Sequence, residues 1–363
     1  MPDQTLPVDP PATIAALDTP SVVIDLDIVE RNLRRAQAYA DAHGLALRPH
    51  IKTHKIPEFA HRQLALGAQG ITCQKLGEAE VMADAGIPDI LITYNLVSAA
   101  KMARLVALRR RIDIKVVADS VEVAQGLSAA MSAVGLTLPV MVECDTGAHR
   151  CGVTDPDAAA ELGAKIAKLP GLHFLGLMTF PPPGGIAGSN QWIGRALEAC
   201  RRLGLTVEVV SSGGTPDLAH AHEVKGVTEY RPGTYIYNDR SLVERGACRW
   251  DDCALSVVTT VVSHPSADRC VIDAGSKSLS SDTLGLTGYG RVVEYPTLQI
   301  EGLSEEHGRV VIPAGTKGPR IGERISVIPN HACVVTNLHD RIYGARDGRI
   351  ERVFEIAARG RTQ

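Results

Sequence analysis

The segment from Leu45 to Lys55 joins a strand-like alternation of apolar residues to an unusual row of basic side chains. Every second residue of a strand faces the same way, so one face would present Arg48, His50, Lys52 and His54. Burying such a row without anionic partners is costly. An anionic cofactor with an aldehyde group, pyridoxal phosphate, would satisfy the row if one lysine bound it covalently. A solvated strand at the edge of a sheet is the alternative.

Two glycine-containing loops further along the chain have the composition of a phosphate-binding cradle. They are Ser212–Thr215, after the seventh predicted strand, and Gly233–Thr234, after the eighth. Glycines let backbone N–H groups approach an anion, and a hydroxyl group adds a donor. Because barrels often bind phosphate at these two loops, we expect a phosphate site built from both. An ordinary turn is the alternative for either loop alone.

Arg150 lies in the loop after the fifth predicted strand, shortly after the acidic residues Glu143 and Asp145. A guanidinium group is always charged, so it could donate to a cofactor oxygen and help the ring to accept electrons. The alternative is a surface ion pair with Asp145.

The elements that must position these residues alternate between strand and helix. Counting from the basic segment, eight short, mostly apolar strands are separated by helices, which is typical of a parallel sheet buried on both faces. This rhythm predicts an α/β fold, a (β/α)8 TIM barrel, and a doubly wound sheet is its rival. We place the barrel at residues 25–245, with Asp27 as the N-cap of its first helix, after a lead-in and strand at 1–24 that joins the second domain.

Residues 246–363 lack a long helical period and read as a β-rich domain. This domain contains the motif Pro329-Asn-His-Ala-Cys333, which we place on a strand. His331 and Cys333 would then face the same way and could provide two ligands of a divalent ion, with the sulfur favouring zinc. A histidine near a buried cysteine by chance is the alternative. The segment Asp273–Lys277 could be a structural turn or the rim of an active site.

Composition excludes several classes of function. The 363 residues are 45% hydrophobic and 22% charged, with a net charge of -3 and no basic block, so nucleic acid is not an expected partner. No apolar run is long enough to span a membrane, and the segment 1–11 does not resemble a secretory signal. We therefore expect a cytoplasmic protein whose eight cysteines are free thiols, with buried examples at Cys73, Cys144, Cys200 and Cys270.

Taken together, the motifs resemble those of the fold-type III pyridoxal phosphate enzymes, within the group of D-threonine aldolases and eukaryotic-type D-serine dehydratases. The resemblance covers nearly the whole chain, from Asp18 to Gly360. The motifs that carry it are Arg48-Pro-His-Ile-Lys-Thr-His-Lys, Cys73-Gln-Lys, Arg150-Cys-Gly-Val, Gly213-Gly-Thr, Arg231-Pro-Gly-Thr-Tyr, Asp273-Ala-Gly-Ser-Lys and Pro329-Asn-His-Ala-Cys.

The resemblance implies specific roles for individual residues. It implies that Lys52, rather than Lys55, is the catalytic lysine that holds the cofactor, and that Arg150 faces the cofactor's phenolic oxygen. Cofactor-binding positions, most of them in the phosphate loops, would be His50, Gln74, Ser212, Gly213, Gly214, Thr215, Gly233, Thr234 and Tyr235. It also implies that His331 and Cys333 bind a divalent metal, which could be zinc, manganese or magnesium, and that the protein is a homodimer.

The implied activity is a lyase reaction on small D-3-hydroxy amino acids. We favour aldol cleavage to glycine and an aldehyde; the alternative is dehydration of D-serine or D-3-hydroxyaspartate. A non-catalytic cofactor carrier would lack the β-rich domain, and an amino-acid racemase would not need His331 and Cys333. The sequence departs from well-studied aldolases at Phe180-Pro181, where they carry a tyrosine and a histidine. This departure leaves the second acid or base unassigned.

Overall fold

The computed structural model describes residues 11–363, which divide into two compact units. One unit comprises Leu33–Tyr235 and the terminal Gly360–Gln363. The other comprises the described residues up to Asn32 together with Ile236–Arg359. Most of the predicted lead-in lies outside the described residues.

The first strand, β1 (Ser21–Asp25), belongs to the second unit and pairs there with two other strands. The first helix, α1 (Leu26–Ala42), follows it directly. The Asp25 carboxylate accepts hydrogen bonds from the backbone N–H groups of Asp27 and Ile28, both at 2.9 Å. Asp25 therefore caps α1, and the prediction that Asp27 is the N-cap was wrong. Asp27 lies in the first turn, where its negative charge interacts favourably with the positive end of the helix dipole.

Eight parallel strands form the barrel predicted from the sequence. The strands are β2 (Ala46–Leu47), β3 (Ile71–Cys73), β4 (Asp89–Ile92), β5 (Asp113–Ala118), β6 (Leu138–Cys144), β7 (Leu172–Thr179), β8 (Val209–Ser212) and β9 (Glu229–Tyr230). Their order is β2-β9-β8-β7-β6-β5-β4-β3, and a parallel bridge between His50 and Thr72 joins the two ends of this order.

Helices connect most of these strands. The helices are α2 (Pro57–Leu66), α3 (Leu76–Asp84), α4 (Ala99–Arg109), α5 (Val121–Ser132), α6 (Pro156–Lys168) and α7 (Ile186–Arg202). The side chains of Ser98, Ser120 and Asp155 cap the N-termini of α4, α5 and α6, as their residue types predict. A short 3-10 helix, Leu218–Glu223, stands between β8 and β9.

Apolar side chains from several strands pack together in the barrel interior. Leu91, Val117, Met141, Leu175 and Met178 form a buried cluster there. Since side chains alternate along a strand, residues two positions later lie on the same face, one layer closer to the carboxyl ends. This is the layer from which a barrel builds its active site.

The basic segment is only partly a strand. β2 ends at Leu47, and Ile51–Thr53 form a 3-10 turn. The prediction of one strand face shared from Arg48 to His54 was therefore wrong. The turn places Lys52 beyond the strand end instead of within the strand.

The second unit is rich in strands, as predicted, and most of them pair antiparallel. Its strands after β1 are β10 (Leu255–Ser266), β11 (Arg269–Ile272), β12 (Arg291–Val292), β13 (Gln299–Leu303), β14 (Gly308–Val311), β15 (Arg324–Ile328), β16 (Arg341–Arg346) and β17 (Arg349–Glu355). One path through its sheet runs β13-β14-β11-β10-β1-β16-β17, and β15 pairs with both β10 and β12. Its helices are α8 (Arg240–Glu244), α9 (Ser276–Leu279) and α10 (Ala332–Leu338).

All eight cysteines are free thiols, and those at 73, 144, 200 and 270 are buried, as expected. Within residues 11–363, none of the helices has the length and apolar character needed to traverse a bilayer.

Candidate active site

The site in the barrel is centred on the turn that carries Lys52. The ring nitrogen Nδ1 of His50 accepts a hydrogen bond from the backbone N–H of Lys52 at 3.3 Å. The other ring nitrogen lies 3.1 Å from the amide oxygen of Gln74, whose amide nitrogen donates to the carbonyl of Thr93. His50 and Gln74 therefore hold the turn of Lys52 against the ends of β3 and β4.

Lys55, the rival of Lys52, is fixed by a buried ion pair. Its amine lies 3.1 Å from the carboxylate of Glu78, and both side chains are almost fully buried. Glu78 also accepts hydrogen bonds from the backbone N–H groups of Gln74 and Lys75. Among the described residues, by contrast, no carboxylate forms an ion pair with Lys52. Lys52 is therefore the lysine of this segment whose amine is available to a ligand.

Lys52 and Arg150 lie beside the same aromatic ring. The Lys52 amine is 5.9 Å from the ring centroid of Phe180, and the Arg150 guanidinium carbon is 4.7 Å from it. Asp145 does not pair with Arg150. Its carboxylate accepts hydrogen bonds from the backbone N–H groups of Gly147 and His149, so the proposed surface ion pair does not form.

The two glycine-containing loops are tied to each other. The hydroxyl oxygen of Thr215 accepts hydrogen bonds from the backbone N–H groups of Gly233 and Tyr235, each at 3.2 Å. Gly213 has a φ of +150°, and a Cβ there would lie 2.6 Å from the backbone nitrogen of Arg231. The cradle therefore requires glycine at position 213, where a Cβ would collide with the backbone of Arg231.

The other predicted phosphate residues lie in or beside the same loops. Ser212 is the buried last residue of β8, and the carbonyl of Gly214 accepts a hydrogen bond from Tyr230. Thr234 begins a short 3-10 turn after β9. The hydroxyl of Tyr235 is bonded to Gln63, so the backbone of Tyr235, rather than its phenol, is the part tied to the cradle.

A buried polar chain crosses the barrel beneath this site. The carboxylate of Glu229 accepts hydrogen bonds from Arg48 and Ser211. Arg231 donates to the Ser211 hydroxyl at 2.8 Å and to the carbonyl of Thr179 at 2.5 Å. The anionic partners of Arg48 are thus the protein's own carboxylates, Glu229 and Asp89, rather than a cofactor.

Arg231 was missed as a site residue from the sequence. In the motif Arg231-Pro-Gly-Thr-Tyr, only Gly233, Thr234 and Tyr235 were predicted to bind the cofactor. The position of Arg231, directly after an apolar strand, was the signal for a buried cation. Burial lowers the pKa of Arg231 to about 10, although the negative charges of Glu229 and Glu143 act to raise it. The pKa of His50 falls well below its usual value because of burial and the nearby charges of Lys52, Arg231 and Arg150. This concentration of positive charge suits an anionic cofactor.

The predicted metal pair lies in the second unit, at the start of α10 rather than on a strand. β15 ends at Ile328, and His331 is the residue before the helix. The strand argument for His331 and Cys333 was therefore wrong, although Cys333 lies close enough to His331 to raise the pKa of its imidazole. Nδ1 of His331 lies 2.6 Å from a carboxylate oxygen of Asp282. That contact leaves Nε2 as the nitrogen available to a metal.

Charges around His331 fit a cation. Burial alone would lower its pKa, but Cys333, Asp282 and Asp239 outweigh burial and raise the pKa to about 9. Asp239 accepts hydrogen bonds from Ser241 and from the N–H of Ala332, so it also fixes the turn. Throughout residues 11–363, no group of three His, Cys, Asp or Glu side chains could hold a metal. The pair therefore fits an incomplete site that other ligands must fill.

The segment Asp273–Lys277 has structural contacts. Asp273 accepts hydrogen bonds from Thr19 and Thr259, and Lys277 forms exposed ion pairs with Glu305 and Glu306.

Comparison with known proteins agrees with this geometry. The sequence profile described as "Alanine racemase, N-terminal domain" matches residues 24–241, and that described as "Putative serine dehydratase domain" matches residues 254–345. A D-threonine aldolase from an Arthrobacter species is 38% identical, over 98% of this chain and 96% of the relative. The chain belongs to the D-threonine aldolase and D-serine dehydratase family of fold-type III pyridoxal phosphate enzymes.

Other members of this family are similar over most of the chain. The solved D-threonine aldolase of Filomicrobium marinum has a TM-score of 0.91 and 34% identity, over 97% of this chain and 98% of that one. The D-threo-3-hydroxyaspartate dehydratase of Delftia sp. (strain HT23) is 36% identical over 88% of this chain and 92% of its own. A cysteine-to-alanine mutant of D-threo-3-hydroxyaspartate dehydratase, solved in a metal-free form, has a TM-score of 0.86 and 34% identity, over 94% and 98% of the two chains.

Proposed function

We propose that this chain is an aldolase that cleaves D-3-hydroxy amino acids of the D-threonine kind into glycine and an aldehyde, using pyridoxal phosphate and a divalent metal. The observation that carries the proposal is the placement of Lys52 and Arg150 beside the ring of Phe180 at the mouth of the barrel. Lys52 is the only lysine of its segment without an ion pair among the described residues. The similarity to aldolases over nearly the whole chain supports the same reaction.

The barrel residues fit the cofactor. Lys52 would hold it covalently, and the tied loops containing Gly213 and Gly233 would bind its phosphate. Arg150 would donate to its phenolic oxygen. When bound, the cofactor supplies an electron sink for the carbanion left when the Cα–Cβ bond breaks. His50 and Gln74 keep the turn of Lys52 in place.

The second unit fits a metal. His331 and Cys333 would hold it, and Asp282 would orient the imidazole through Nδ1, as carboxylates hydrogen-bonded to metal-binding histidines do. A bound divalent ion supplies Lewis-acid polarisation of the substrate's β-oxygen. The soft sulfur of Cys333 favours zinc, and manganese and magnesium are the other candidates.

Dehydration is the second candidate reaction. The similarity to a D-threo-3-hydroxyaspartate dehydratase over 88% of this chain favours it. Both reactions use the same residues, and the bond aligned with the electron sink decides which occurs. A racemase or a non-catalytic carrier has no use for the metal pair.

Product analysis distinguishes the two reactions. Purified protein loaded with cofactor and metal is offered D-threonine and D-serine. Glycine and acetaldehyde from D-threonine support aldol cleavage, whereas pyruvate or 2-oxobutanoate with ammonia supports dehydration. Activity that is lost with EDTA and restored by manganese or zinc argues against a racemase. Activity unaffected by EDTA would contradict the metal-dependent proposal.

We also propose a cytoplasmic homodimer. The family resemblance supports a dimer in which the β-rich domain of one subunit completes the site of another. Light scattering coupled to size-exclusion chromatography tests it, and a monomeric holoenzyme with full activity would contradict it.

A further inference from the structure

The second unit contains a pocket that His331 and Cys333 do not line. Its volume is about 380 Å³, which is within the range of pockets that hold small organic molecules. Three charged side chains line it, those of Arg240, Glu244 and Arg291. Every lining residue belongs to the same unit, so the pocket is formed without the barrel.

Arg291 differs from the other cation of the pocket because its charge is unpaired among the described residues. Its guanidinium carbon lies 4.0 Å from the ring centroid of Trp250. Within residues 11–363, the guanidinium forms no ion pair and donates no hydrogen bond. The N–H donors of a guanidinium lie in its plane, so a group that stacks on an indole ring still offers them at its edge. Arg291 can therefore bind a carboxylate through two parallel hydrogen bonds.

Arg240, in contrast, is engaged by the protein itself. One of its terminal nitrogens donates to the carbonyl of Gly290 and to the amide oxygen of Asn330, each at 3.2 Å. Its Nε lies 3.5 Å from the carboxylate of Glu244. Arg240 and Glu244 therefore form one wall of the pocket and balance each other's charge.

The backbone that carries Arg291 is fixed by its neighbours. The buried side chain of Asn330 accepts a hydrogen bond from the N–H of Gly290 at 2.9 Å and donates to the carbonyl of Gly288 at 2.7 Å. Gly290 has a φ of +105°, and a Cβ there would lie 2.8 Å from the carbonyl oxygen of Ile328. Arg291 follows directly and pairs with Ile328 in the sheet. The guanidinium is thus presented from a rigid turn, which lowers the entropy cost of binding a ligand.

The charge and lining of the pocket indicate the kind of ligand it fits. Because Arg240 and Glu244 balance each other, one positive charge is left over, which complements a singly charged carboxylate better than a phosphate dianion. Pro296 and Leu298 add apolar surface, and the hydroxyl of Thr297 adds a polar group. The lining therefore matches an acid whose remaining part is small and apolar.

We propose that this pocket binds a small monocarboxylate with a compact apolar body, and that Arg291 holds its carboxylate. No step of the proposed cleavage uses this site, so the inference goes beyond the proposed function. The competing occupant is an acidic side chain of a second copy of the chain, which would make Arg291 part of an interface between subunits.

Isothermal titration of the holoenzyme with benzoate and with 3-methylbutanoate tests the proposal without any variant. Each acid should bind in a saturable way at one site per chain. The neutral amides, benzamide and 3-methylbutanamide, have nearly the same shape. They should bind about tenfold more weakly or worse, because Arg291 then lacks a charged acceptor. Equal affinity for acids and amides, or saturable binding of neither acid, would overturn the proposal.

Variants locate the binding site. Arg291→Met should lower the affinity for both acids about tenfold or more, and Arg291→Lys, which keeps the charge without the planar fork, should lie between Arg291→Met and the wild type. Arg341→Met is the matched control, since Arg341 is an exposed arginine of the same unit that pairs with Glu355. Circular dichroism shows whether each variant is folded. Arg150→Met should leave the affinity unchanged; a loss there instead would place the acids in the barrel site and refute the proposal.

Light scattering distinguishes the two occupants. If Arg291→Met dissociates the protein into smaller species while neither acid binds the wild type, the pocket holds a side chain of another copy and the proposal is wrong. Saturable binding of the acids with an unchanged oligomeric state supports a small-molecule site. Binding is measured without substrate, so a protein that binds the acids but cleaves no D-3-hydroxy amino acid refutes the proposed function alone.

Discussion

The two candidate sites of this chain are built in opposite ways. In the barrel, the ends of several strands converge, so Lys52, Arg150 and the phosphate loops each follow a different strand. In the second unit, His331 and Cys333 are two residues apart at a single turn, and Asp282 and Asp239 are their main support. A site of the first kind is fixed by the whole fold. A site of the second kind depends on one local turn and a few hydrogen bonds.

The strongest test of the barrel site is Lys52→Ala. We expect activity to fall about 10³-fold or more, as when a covalent catalytic residue is removed, and the yellow colour of the lysine-bound cofactor to disappear. Absorbance spectra and initial rates measure both effects.

Lys55→Met is the matched control for Lys52→Ala. It should keep the colour but lower the free energy of unfolding by about 3–5 kcal/mol, because Glu78 loses its buried partner. A colourless Lys55→Met protein beside a yellow Lys52→Ala protein would reverse the assignment of the two lysines.

The next largest effect is expected in the second unit. His331→Ala and Cys333→Ala should each lower activity about 10²-fold or more, because a Lewis acid contributes several kcal/mol to the barrier. Metal analysis should show loss of the bound ion. The yellow colour should persist, since Lys52 is unchanged. Loss of colour in these variants would show that the two sites cannot be separated.

Asp282→Asn tests how much the metal pair relies on its support. Nδ1 of His331 lies 2.6 Å from Asp282, and loss of such an orienting carboxylate lowers metal affinity about 10–100-fold. Activity should recover when the metal concentration is raised, unlike that of His331→Ala. Isothermal titration with zinc and manganese measures the change. An unaltered affinity would mean that Asp282 balances the charge of His331 without orienting it.

The sequence predicted the repeating parts of the molecule well. The eight apolar strands and the helices between them were found because burial on both faces leaves a simple pattern. The segment of Lys52 was assigned to a strand that stops at Leu47, because alternation continues past the point where backbone pairing ends. The choice of Lys52 does not depend on that error, because it rests on the family resemblance and is supported by the ion pair that Lys55 forms with Glu78.

Contacts across long sequence distances were beyond prediction. Arg231 is held by the Ser211 hydroxyl, which in turn donates to Glu229 on a different strand. His331 is hydrogen-bonded to Asp282, 49 residues away. No local pattern signals such pairs. Glu143 was noted in the sequence only as an acid before Arg150, because its burial depends on how the barrel closes.

The smallest expected effect comes from two adjacent glycines of the phosphate cradle. Gly213→Ala would place a Cβ 2.6 Å from the backbone nitrogen of Arg231, at a φ of +150° that side chains rarely adopt. Strain of this kind costs about 1–3 kcal/mol, so cofactor affinity and Tm should both fall. In Gly214→Ala the Cβ would lie 3.4 Å from the ring of Phe180 and 3.7 Å from Pro216, which are ordinary contacts, so this variant should behave nearly as the wild type. Because both loops are tied through Thr215, a local change at Gly213 should spread to Gly233. Equal effects of the two substitutions would mean that the cradle tolerates movement, which would bring the barrel site closer in character to the single turn that holds His331.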